Sequence, residues 1–162
     1  MKAGTLSLLA LSLATSLTTL SGCALSAPVL VGAVGPAGPV TSHEPQGKLV
    51  VYSATTVYTT EQSRYALHTS YTLYDDKGVQ LQTVKNRAGL FAAQPVTLTL
   101  AAGHYRVRAL TSTSGPVVVP VVVAPGRTTT VYLDDTRIPT DLQASTDEVK
   151  LPDGRVVGWR AP

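Results

Sequence analysis

From Gly47 onward, apolar and polar residues alternate with a period of two, the pattern of strands that bury one face and wet the other. Residues 48–52 form a short apolar run that leads into a Thr-rich stretch over 55–60. Within residues 67–74, Leu67, Thr69, Tyr71 and Leu73 fall on one face and His68, Ser70, Thr72 and Tyr74 on the other. Asp75-Asp76-Lys77-Gly78 supplies turn residues, and 79–85 reads as the return strand of a hairpin. Residues 96–100, 105–109, 117–123 and 128–133 continue the alternation, with Pro125-Gly126 marking a turn. Helical periodicity is absent from this block. The pattern predicts an all-β fold, an antiparallel β-sandwich of about seven short strands over residues 47–133. Pro120 interrupts a run of valines and has no N–H for a ladder, so its strand is expected at a sheet edge or at a bulge.

Outside that block the pattern changes. Lys2 precedes an uncharged apolar and hydroxylic segment, and residues 1–22 follow the plan of a cleaved signal peptide. The segment is short and rich in Ser and Thr, whereas a membrane span takes about 20 strongly apolar residues. Residues 23–46 are punctuated by Pro28, Gly32, Gly35-Pro36, Gly38-Pro39 and Pro45, which predicts a flexible tether. Such a tether would reach on the order of 25–30 Å. A short strand at Val29-Leu30-Val31 is the alternative reading. Residues 134–162 form a C-terminal extension: a polar loop, then a hairpin around Pro152-Asp153-Gly154. Trp159 is expected either to pack on the domain or to sit in a binding surface.

Leu20-Ser21-Gly22-Cys23 resembles the lipobox of bacterial lipoproteins. The resemblance implies that the Cys23 sulfur carries a diacylglycerol and that Cys23 begins the mature chain. Cys23 is the only cysteine, so no disulfide can form within the chain. Two or three acyl chains hold a protein firmly where one holds it marginally. Ala24, rather than Asp, follows the cysteine, which implies export to the outer membrane where the organism has one. Leu100-Ala101-Ala102-Gly103-His104-Tyr105 is similar to the tyrosine corner of Greek-key sandwiches, in which the tyrosine hydroxyl bonds back to the backbone. Residues 95–110, PVTLTLAAGHYRVRAL, and 121–133, VVVAPGRTTTVYL, resemble the carboxypeptidase regulatory-like and PEGA-like sandwiches, which are transthyretin-like and Ig-like. The resemblance implies a non-catalytic accessory or envelope module.

Charge sharpens this only a little. The chain holds 13 basic and 10 acidic residues, and loss of Lys2 with the leader lowers the net charge from +3 to +2. So small an excess is a weak signal for nucleic acid, and no nucleic-acid partner is expected. A mildly positive face toward anionic lipid headgroups or glycans fits better. His104, Arg106 and Arg108 alternate with Tyr105, Val107 and Ala109, so the basic trio should share one wet strand face, a candidate site for an anionic ligand. His43, His68 and His104 lack metal-ligand spacing. Asp134-Asp135 with Asp141 could offer oxygen ligands to calcium, but no EF-hand spacing is present and a solvated loop explains them. No Gly-x-Ser-x-Gly elbow occurs. The sequence therefore points to no cofactor, no metal and no catalytic residues, and to a membrane-anchored module that binds or supports an envelope protein or glycan. One alternative is a small surface hydrolase or carbohydrate-active enzyme, with a cleft holding at least two of Glu61, His68, Asp134, Asp135 and Asp141. Another is an accessory subunit of an envelope secretion or transport assembly.

Overall fold

In the computed structural model, residues 27–36, 45–87, 93–135 and 147–161 are described, and every regular element among them is a strand. The expected signal peptide at residues 1–22, Cys23, His43 and Asp141 lie outside the described residues. Thirteen strands follow in order: β1 (Val29–Leu30), β2 (Val34–Gly35), β3 (Gln46–Tyr52), β4 (Thr55–Thr59), β5 (Arg64–His68), β6 (Tyr71–Asp75) and β7 (Gln80–Val84). Then come β8 (Thr97–Ala101), β9 (Gly103–Thr111), β10 (Gly115–Val123), β11 (Thr128–Tyr132), β12 (Glu148–Lys150) and β13 (Val156–Arg160). A large sheet has the order β12-β13-β2-β10-β9-β6-β7, with β1 also paired to β10. A small sheet has the order β11-β3-β8, and β4 and β5 form a separate hairpin.

The two sheets pack face to face as a sandwich, because each strand keeps its apolar set on one side. Val117, Val119, Val121 and Val123 of β10 all point inward, beside Val107 and Ala109 of β9 and Tyr71 and Leu73 of β6. Leu49 and Val51 of β3 and Val131 of β11 meet them from the small sheet. Burying one such side chain contributes roughly 1.5–3 kcal/mol, so the alternation alone sets which face is which. Gly47 sits where β3 passes the end of β10: a Cβ there would lie 2.2 Å from the Ala124 carbonyl oxygen, so no larger residue fits without moving backbone. The β6–β7 turn forms as its sequence predicts. Gly78 takes a φ of 84°, and the Val79 N–H donates to the Asp75 carboxylate at 2.7 Å.

The structure departs from the sequence reading in four places. The sandwich is not purely antiparallel: β11 runs parallel to β3, and β1 and β2 run parallel to β10. The sheet also extends beyond residues 47–133. Part of the expected tether forms β1 and β2, with Val34 fully buried, and β12 and β13 complete the large sheet from the C-terminal side. Residues 67–74 are not one strand. The chain breaks at Thr69-Ser70, leaves the β4–β5 hairpin and enters the large sheet, and His68 turns inward at the break. Pro120 lies inside the large sheet rather than at its edge.

The neighbours of Pro120 show why it is tolerated. The N–H of Val31 donates to the carbonyl of Val118, so the backbone polar groups of β10 at 116, 118, 120 and 122 face β1 and β2. Pro120 thus has no N–H on the side where register places it opposite Ala33, between β1 and β2. The missing donor falls where the neighbouring edge is already interrupted, and the β9 side of the ladder keeps all its donors.

Candidate functional site

β9 places His104, Arg106 and Arg108 on the outer face of the large sheet, all exposed, with Val107 and Ala109 buried beneath. The sequence pattern is met here in full. The N-terminal end of β9 is fixed by the corner that carries the chain over from β8: the Tyr105 hydroxyl donates to the Ala101 carbonyl at 2.9 Å. The register then aligns the neighbours. Val122, Pro120 and Val118 of β10 stand opposite His104, Arg106 and Arg108. On the other side, Tyr74 and Thr72 of β6 face Arg106 and Arg108. Leu30 of β1 pairs with Val118 and is 71% exposed. Directly paired residues share a face, so an apolar stripe on β1 and β10 runs beside a basic ladder on β9.

Two of the shallow clefts on this face border the apolar stripe. One, of about 430 Å³, lies between Leu30, Pro120, Val122, His104 and Arg106, with Asp76 at its rim. The other, of about 390 Å³, lies between Pro28, Tyr74, Arg106, Arg108 and Val118. The backbone positions of Arg106 and Arg108 stand about 7 Å apart on one strand, so both guanidinium groups can serve neighbouring anionic groups. The arrangement suits a ligand or surface that is both negatively charged and partly apolar. Sequence reasoning found the basic trio but not Leu30, Tyr74 or Val118, because cross-strand register is not written in any single strand.

The residues named for a hydrolase do not come together in this way. His68 is buried, and its Nδ1 donates to the Ser53 carbonyl at 2.7 Å. It belongs to a polar cluster in which the Asn86 amide donates to the Val51 carbonyl (2.7 Å) and to Ser53 Oγ (2.9 Å), and accepts from the Val96 N–H (3.1 Å). Ser53 Oγ in turn donates to the Thr69 carbonyl at 2.7 Å. The cleft at His68, about 290 Å³, is also lined by Lys85, Asn86 and Arg87 but by none of Glu61, Asp134 or Asp135. Glu61 is exposed at the tip of the β4–β5 hairpin. The Asp134 N–H donates to the Tyr52 carbonyl at 2.9 Å, and Asp135 is ion-paired with Arg155. Among the described residues, no three His, Cys, Asp or Glu side chains gather as a metal site would need.

Arg155 was not singled out by sequence, yet it organises a second cluster. Its guanidinium binds Asp135 and Asp153, and the Asp153 carboxylate also accepts from Thr113 (3.1 Å) and Ser114 (2.9 Å). The backbone N–H of Arg155, then the two hydroxyls and the guanidinium, hold the Asp153 carboxyl down at about 2. Trp159 is buried on the domain, edge-on to Tyr132, whose ring stacks on Tyr52 at 5.3 Å. Comparison of the chain with protein-family models, with curated proteins and with solved structures gave no match.

Proposed function

We propose that the chain is an envelope lipoprotein, anchored through Cys23, whose sandwich works by contact, as a binding or structural module, and carries out no catalysis. The observation that carries this reading is the stretch Leu20-Ser21-Gly22-Cys23 at the end of a short apolar leader. Acylation would also cap the one thiol of the chain, which would otherwise stand free in an oxidising compartment. The outward basic and apolar face of the large sheet supports a contact role, since contact with an anionic envelope component needs cations at fixed spacing and no reacting group. The Tyr105–Ala101 hydrogen bond supports kinship with Greek-key sandwiches of the carboxypeptidase regulatory-like kind. With Ala24 after the cysteine, the destination is the outer membrane where the envelope has two membranes.

Intact-mass analysis of the chain isolated from its own membranes tests the reading. The expected product begins at Cys23 and carries two or three acyl chains. A mature chain that begins elsewhere, or that has no acyl mass at Cys23, overturns it.

A further inference from the structure

We infer that the outer face of the large sheet rests on the anionic headgroups of the bilayer that holds the chain, so that the sandwich lies on the membrane by this face. The inference rests on the reading of Cys23 as the lipid anchor. Its first support is reach. The fold begins earlier than the Gly/Pro pattern suggests, because β1 starts at Val29. Pro28 already lies in the cleft with Arg106 and Arg108. Five peptide steps separate Pro28 from Cys23, at most about 18 Å of extended chain. So short a link keeps the basic face close to the bilayer and lets it come within the one Debye length, about 8–10 Å, over which an anionic surface acts.

The second support is composition. Leu30 and Leu110, both at least 44% exposed, stand on this same outer face: Leu30 beside Val118, and Leu110 on the alternation of Arg106 and Arg108. His104, Arg106 and Arg108 lie among them, with Asp76 as the carboxylate lining the neighbouring cleft. The outer face of the small sheet differs. Thr97, Thr99, Thr128 and Lys48 are exposed there, and no large apolar side chain of β3, β8 or β11 is exposed. Cations at headgroup level with leucines beside them are what an anionic bilayer surface selects, and the threonine face is what water selects. Each arginine near such a surface is worth about fivefold, so the pair should favour this orientation by roughly 25-fold at low salt.

The full chain, made with its own leader and purified from membranes, provides the test. Because Cys23 is the only native cysteine, a substituted cysteine is the sole thiol once Cys23 is acylated. Leu30→Cys and Thr128→Cys variants carrying a fluorophore are reconstituted into vesicles of phosphatidylglycerol with phosphatidylcholine, doped with a nitroxide headgroup quencher. The expected result is at least threefold stronger quenching at position 30 than at 128. The difference should vanish in pure phosphatidylcholine, in 0.5 M salt, and in the Arg106→Glu/Arg108→Glu pair. Equal quenching at the two positions, or a difference that persists through the charge reversal and the salt, overturns the inference. Protection of position 30 only when cell-wall glycan is added also overturns it, in favour of a polymer ligand. Failure of the anchor reads differently: unsubstituted protein then reacts with maleimide at Cys23 and does not float with vesicles. The salt arm uses unreversed arginines, so it stands even if the charge-reversed pair fails to fold.

Discussion

The cluster around Asn86 and the cluster around Arg155 each tie together segments distant in sequence, but the first is buried and the second is wet. Asn86 is 1% exposed and spends its amide on Val51, Ser53 and Val96. Arg155 draws Asp135, Asp153 and Thr113 together at the surface, where water competes for every bond. By count of bonds the two are alike. By energy they are not, because a partner removed from the interior leaves groups with nothing to replace it, while a partner removed from the surface is replaced by solvent. The comparison teaches that the inner cluster holds the sandwich together and the outer one only sets how three connecting segments lie.

The largest effect should come from Asn86→Ala. It strands the Val51 carbonyl and the Val96 N–H and takes one of its two partners from Ser53 Oγ, and is expected to cost about 2–3 kcal/mol in urea unfolding. A loss under about 0.5 kcal/mol would erase the contrast between the clusters. Tyr71→Phe sharpens it from the other side. The Tyr71 hydroxyl is buried with no hydrogen-bond partner among the described residues, and burial pushes its ionisation well above the usual range. Removing it should leave stability unchanged or raise it by up to about 1 kcal/mol, since nothing is lost but an unmet donor.

The smallest effect belongs to the outer cluster. The folded-state pKa of Asp153 lies at about 2, below its ordinary value of 3.8. Its contribution is therefore complete above about pH 4 and disappears as pH falls through about 2. Amide resonances of Ser114 and Arg155 should shift together over that window, while that of Val96, held by the uncharged Asn86 amide, stays still. A midpoint for the Ser114 and Arg155 shifts near the ordinary carboxylate value would show that the clamp does not form.

Much of this was legible in the chain. The β6–β7 hairpin, the outward trio on β9, the Tyr105 corner bond and the β12–β13 hairpin all follow from alternation and local turn chemistry, which act over a few residues. What escaped is set by partners far away. The strand at β1 reads only as the alternative to a tether, and β2 does not read at all: two residues have no period, and pairing with β10 and β13 makes β2 a strand. Pro120 reads as an edge residue until the neighbour on its bare side is known. Asp135 reads as a possible ligand or catalytic acid until Arg155, 20 residues on, is seen to hold it. Asn86, between Lys85 and Arg87, looks like one more wet residue, yet its partners lie 10 to 35 residues off.

The grip of β1 on β10 has a mechanical side. A pull arriving along the backbone from the direction of Cys23 meets Val29–Leu30 first, and that pairing is only two residues long. Peeling it away releases slack of about 17 Å before the load reaches Val34, whose side chain is locked in the interior. The domain can thus yield to a tug by paying out line while its interior stays shut.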